Sequence, residues 1–229
     1  MKIELSHRPA YAMAIAHLEA GDSVQGEPGS MIAMDGDVAI DTSTGLAGKG
    51  ILGGILGGLK RLATGESLLR NTYKSVRGGT VCFAPAHIGD MEILHLEGAP
   101  IVVQSGAWVC SPPTVSLDAS WQGARGFFSG QGLLLLKATG TGPLAIHAFG
   151  AIRHVDVDGR FIVDTGHIVA FESSLTYKVR PFGGGLFSFI FGGEGLVCAF
   201  EGKGRLWLQT RNPTAFGSAM TSLLPMRNG

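Results

Sequence analysis

A glycine-led motif that returns three times constrains this chain more than any other feature. Gly65-Glu66-Ser67-Leu68-Leu69, Gly130-Gln131-Gly132-Leu133-Leu134 and Gly193-Glu194-Gly195-Leu196-Val197 share one rule: glycine, an acid or amide, a small residue, then two aliphatics. Each is followed by a further glycine (Gly79, Gly142, Gly204) and another apolar run, as in Leu206-Trp207-Leu208. This reads as one glycine-turned hairpin written three times. A second anchor recurs in the same order: Gly29-Ser30-Met31, Gly106-Ala107-Trp108 and Gly166-His167-Ile168 each open an apolar strand after a short polar turn. Self-similarity at such a period marks supersecondary units that bury their apolar faces against one another. Glycine-rich β chains yield chance matches, but two different anchors in one order argue against chance.

The architecture expected is all-β. Three pseudo-repeated units, over residues of about 1–99, 100–159 and 160–211, form a barrel or sandwich in a single domain spanning 1–229. Short apolar runs at roughly ten-residue spacing, separated by Gly, Pro or Asp-Gly, are the signal for that class. Asp35-Gly36-Asp37 and Asp156-Val157-Asp158-Gly159 read as tight turns; the latter lacks the later acidic ligand of a calcium loop. One helix is expected, over 213–224. Asn212 caps it, Pro213 suits its first position, Pro225 ends it, and Phe216, Met220, Leu223 and Leu224 form an apolar stripe. Such a helix docks on its own sheet or on a neighbouring subunit.

Eighteen basic and eighteen acidic residues cancel, so no global field steers the chain to nucleic acid. Charged residues are only 16% of the sequence, which suggests apolar surface covered by a second copy and hence a homo-oligomer. Cys82, Cys110 and Cys198 sit inside apolar runs with no CxxC spacing. They read as reduced, buried thiols of a cytoplasmic protein, with a cysteine nucleophile the weaker alternative. The start, Met1-Lys2-Ile3-Glu4-Leu5, alternates like a strand and has no charged-then-apolar leader. No apolar run approaches the ~20 residues of a membrane-spanning helix.

Residues 45–64 lengthen the first unit with an apolar, glycine-dense insertion, from Gly45-Leu46-Ala47 to Leu62-Ala63-Thr64. Each glycine costs a helix about 1 kcal/mol relative to alanine, so this segment must lie on something. Subunit packing ranks first. Peripheral contact with an anionic membrane ranks second, because Lys49, Lys60, Arg61, Arg70, Lys74 and Arg77 cluster in and after the segment against Glu66 alone. Phosphate binding ranks third, since no nucleotide-loop pattern is present. Those six cations are the candidate binding residues.

No catalytic or metal site emerges. The seven histidines, His7, His17, His87, His95, His147, His154 and His167, include no His-x-His or His-x-x-x-His pair. His167 near Asp164 and Glu172 could act as an oriented base, but Asp164-Thr165-Gly166 matches the turn Gln104-Ser105-Gly106. Arg211, closing the last strand, suits an anion or an acidic partner, the latter first. No cofactor is expected, and the chain reads as a non-enzymatic oligomeric β-scaffold or interaction protein. The alternative is a small-molecule or nucleic-acid binder using clefts between the repeats.

Several of these motifs resemble one family in order along the chain. Gly65-Glu66-Ser67, Gln104-Ser105-Gly106, Val163 through Phe171, Gly193-Glu194-Gly195-Leu196 and Trp207-Leu208-Gln209-Thr210-Arg211 are similar to the altered inheritance of mitochondria protein twenty-four family. The resemblance runs from about Gly29 to Arg211. It implies a fold similar to the trp RNA-binding attenuation protein, with three β subunits' worth of structure in one chain, of the double-stranded β-helix class. It also implies an association with membrane organisation, and it carries over no catalytic residues. RNA binding does not follow from a fold name.

Overall fold

The computed structural model describes residues 1–41, 70–119, 134–181 and 196–224. The chain is mostly β with one α-helix near its C-terminus. The strands are β1 (Lys2–Ser6), β2 (Met13–Leu18), β3 (Ser23–Gly26), β4 (Met31–Asp41), β5 (Asn71–Phe83), β6 (Met91–Glu97) and β7 (Ile101–Gln104). They continue with β8 (Trp108–Ser111), β9 (Val115–Asp118), β10 (Leu135–His147), β11 (Ile152–Asp164), β12 (Ile168–Glu172), β13 (Thr176–Pro181) and β14 (Leu196–Gln209), and the helix α1 spans Pro213–Leu223. Short 3-10 turns at Ser105–Ala107 and Thr165–His167 precede β8 and β12.

Three long strands organise the sheet. β5 pairs with β2 and β3 along one edge and β4 along the other. β10 pairs with β6 and β7, and with β8 and β9. β14 pairs with β11, and with β12 and β13. Cross-links β3·β8 and β7·β12 join these groups into one antiparallel sheet of 14 strands. Its path begins at β1 and ends at β11, so among the described residues the sheet stays open rather than closing into the expected barrel. The long strands use both of their own edges for neighbours, and β1 and β11 do not meet. Parallel bridges from Gly89 to Tyr11 and to Gly150 gather the starts of the three groups instead.

The mid-segment glycines do not make hairpin turns. Gly79, Gly142 and Gly204 lie inside β5, β10 and β14, and Asp35-Gly36-Asp37 and Asp156–Gly159 lie inside β4 and β11. The reason is glycine at positive φ in the middle of each long strand pair. At one such place Gly159 pairs with Gly202 at φ +103° and +119°, values that L side chains avoid. At another, a Cβ on Gly36 would collide with the Gly78 carbonyl and one on Gly79 with the Asp35 carbonyl. The first copies of the glycine motif, Gly65–Leu69, Gly130–Leu133 and Gly193–Gly195, lie outside the described residues, as does the 45–64 insertion.

Buried side chains form three clusters along the sheet. Val24, Tyr73, Phe83 and Val109 belong to the first, Trp108, Leu136, Ile146 and Trp207 to the middle one, and Phe171, Phe200 and Leu206 to the third. Helix α1 begins as the sequence dictates: the Asn212 side chain accepts from the Thr214 and Ala215 amides at 2.9 and 3.2 Å. None of its residues is buried. Only Phe216 of the expected stripe finds an aromatic partner, Phe149, at 5.1 Å between ring centroids.

Candidate functional site

Pairing of β3 with β8, Gly26 opposite Cys110, brings the corner after β3 beside the start of β8. The Glu27 amide donates to the Val109 carbonyl at 2.9 Å, and Ser30 closes the corner by donating its amide and hydroxyl to the Glu27 carbonyl at 3.2 and 2.7 Å. Behind this corner the chain leaves β5, fixed by the Ala84 amide on the Ser30 carbonyl at 2.7 Å. A cleft of about 280 Å³ remains between them, lined by Glu27–Ser30, Pro85–His87, Gly106 and His147.

His147 ends β10 and is only 4% exposed, yet neither ring nitrogen has a hydrogen-bond partner among the described residues. Its ring stands edge-on to that of His87 at 5.8 Å between centroids, and His87 in turn lies 5.5 Å from Phe149. Burial, with a smaller contribution from His87, pushes the His147 imidazole down to about 4, so at neutral pH it offers one donor and one acceptor. Desolvation alone pushes the half-buried Glu27 carboxyl up to about 7, because no cation or donor faces it among the described residues. A buried polar group left without partners costs roughly 1–3 kcal/mol. Native structures keep few, and one in a cleft wall is a functional-site candidate. The described residues hold no group of three or more His, Cys, Asp or Glu side chains arranged for a metal ion.

Of the binding residues singled out from sequence, the described ones do not line this cleft. Lys49, Lys60 and Arg61 fall outside the described residues. Arg70 precedes β5 and is half-buried, while Lys74 pairs with Asp41 at 3.1 Å and Arg77 with Asp37 at 2.7 Å across the β4·β5 ladder. His167, Asp164 and Glu172 are not brought together as an acid–base set. His167 Nδ1 bonds the Gln209 carbonyl at 2.8 Å, Asp164 accepts from the Gly166 amide at 2.8 Å, and Glu172 accepts from the Arg205 amide at 2.9 Å. Cys110 and Cys198 are buried, and burial raises both thiols, Cys198 to about 12, which leaves no reactive thiolate there.

Glu27, His87 and His147 escape a reading based on ligand spacing because they are far apart in sequence. One signal was present: His147 follows the buried run Leu144-Ala145-Ile146 as Gln209 follows Leu206-Trp207-Leu208. A polar residue at that place needs a reason.

No helix among the described residues is long and apolar enough to cross a membrane. The chain is 28% identical to an uncharacterised protein of Streptococcus pyogenes serotype M6, over 98% of this chain and 92% of that one. A crystal structure of a Streptococcus pyogenes protein superposes with a TM-score of 0.82 at 26% identity, covering 97% of this chain and 99% of its own. The family model described as mitochondrial biogenesis AIM24 matches residues 3–211, and the chain belongs to that family.

Proposed function

We propose that the protein is a non-enzymatic binding protein built of three β units, and that the cleft between the first and second units takes a small ligand. The observation that carries this reading is His147, buried in the cleft wall with both ring nitrogens unpartnered. The unit structure draws support from the matching places of β5, β10 and β14, each flanked on both edges. It is also the arrangement that the family resemblance implies, with its fold similar to the trp RNA-binding attenuation protein. A nuclear magnetic resonance screen of molecules of up to about ten heavy atoms, read on the His147 ring, tests the site. Binders should shift that ring and lose binding in His147→Leu; binders whose affinity ignores His147→Leu would sink the reading.

Exposed apolar side chains favour a second role, an oligomeric scaffold with peripheral membrane or protein contacts. Tyr11 and Ile88 stand 72% and 59% exposed beside the Gly89 bridges, and Leu223 on α1 is 76% exposed. Native mass spectrometry should give a multimer whose mass falls on Met220→Glu with Leu223→Glu. Deleting residues 45–64 should abolish co-sedimentation with anionic liposomes, and unchanged co-sedimentation removes the membrane contact.

A further inference from the structure

We infer that the cleft takes the protonated amine of a small organic ligand, with the Glu27 carboxylate as its counter-charge and an His147 ring nitrogen as an acceptor beside it. This rests on the cleft being a ligand site at all. The wall itself selects the class. Its titratable side chains are Glu27, His87 and His147, with no lysine or arginine among the lining residues. A carboxylate or phosphate ligand would be desolvated beside Glu27 with no lysine or arginine to pair it, whereas an ammonium group supplies the charge that Glu27 lacks. The remaining wall, Pro28, Gly29, Ser30, Pro85, Ala86 and Gly106, has one hydroxyl, which Ser30 spends on the Glu27 carbonyl, and otherwise suits a short aliphatic body.

The molecule contains its own precedent for what fills such a corner. Ile146 pairs with Trp108 as Leu208 pairs with Ile168, so His147 and Gln209 follow at the same register place, and Gly106 corresponds to Gly166. Over Gly166 lies the Asn212 side chain, whose Nδ2 donates to Asp164 Oδ1 at 3.4 Å and where a Cβ on Gly166 would clash. Over Gly106 there is nothing within 4 Å among the described residues. An N–H donor over the glycine is what the third corner has and the cleft lacks, and the acid of the cleft, Glu27, comes from the corner after β3 rather than from the place of Asp164, which Gln104 holds. A ligand amine restores the donor.

The test titrates the full chain at pH 8 with n-butylammonium, 1-pentanol and pentanoate, read on the His147 ring nitrogens by long-range 1H–15N correlation. Butylammonium should saturate and shift His147, and Glu27→Gln, which keeps shape and removes charge, should weaken it about tenfold or more. Pentanol or pentanoate binding as tightly as butylammonium, or Glu27→Gln leaving its affinity unchanged, overturns the amine assignment and leaves the cleft standing. If none of the three moves His147, while the fragment screen also finds nothing, the cleft reading falls with it.

Discussion

Two corners of this sheet share a backbone and differ in everything that touches them. At the corner before β12, Gln209 donates to the Gly166 carbonyl at 2.8 Å and accepts from the Phe149 amide at 2.9 Å, while Asn212 covers Gly166 and caps α1. At the corner before β8, among the described residues, the same place holds His147, buried and without a hydrogen-bond partner, and Gly106 faces open space. One corner is closed by the chain itself. The other holds a buried polar group at a cost in stability, which is the observation that supports the proposed site.

The largest effect expected separates those two side chains. Gln209→Leu removes both side-chain bonds and strands the Phe149 amide and Gly166 carbonyl, which should cost roughly 3 kcal/mol in urea denaturation. His147→Leu deletes a buried group that makes no bond, so it should be neutral or stabilise by up to about 1 kcal/mol. Equal losses in the two variants would make His147 structural and erase the contrast.

Acidity sharpens the same comparison. The folded-state pKa of His147 is about 4, below the ordinary 6.5, so protons favour the unfolded chain. Its contribution is complete above pH 6.5 and is lost as pH falls toward 4, by about 3 kcal/mol at most. Glu27 runs the other way: at about 7 against an ordinary 4.5, its contribution is complete below pH 4.5 and is lost as pH rises through 7. Glu27→Gln should therefore show stability rising between pH 4.5 and 6.5, and His147→Leu stability falling over that window. The hydrogen-bonded carboxylates Asp22, Asp35 and Asp156 are held below the usual range and act at lower pH in every variant. Two variants with the same slope would mean that neither group titrates as its burial dictates. Amine binding should also weaken as pH drops through about 7, when Glu27 gains its proton.

The strands, the glycine corners at Gly106 and Gly166 and the Asn212 cap were legible in the sequence because each rests on neighbours within a few residues. The glycines were legible as well, but their use was not. A mid-strand position at positive φ and a hairpin turn ask for the same residue, so Gly36 and Gly159 read as turns until pairing showed the strand continuing through them. The open sheet depends on whether β1 meets β11, a contact that no local pattern encodes. The cleft is harder still, since residues near 27, 86, 106 and 147 meet only after β3 has paired with β8. The cross-strand pairing of the basic cluster was hidden for a related reason. Lys74 and Arg77 are adjacent to a cationic segment in sequence, yet across the ladder each faces an aspartate of β4.

The smallest predicted effects lie at the two glycines, and they discriminate most finely between a closed corner and an open one. Neither glycine needs a positive φ, so alanine is tolerable to both backbones and only the space above them differs. At Gly166 the new methyl displaces Asn212, and losing that cap should cost roughly 1–2 kcal/mol. At Gly106 the methyl enters the cleft, and stability should stay within about 0.5 kcal/mol. The volume it removes belongs to the ligand, so Gly106→Ala should weaken butylammonium without touching the fold. A Gly106→Ala protein as unstable as Gly166→Ala would mean that the second corner is as fully packed as the third, and that the cleft has no room for a guest.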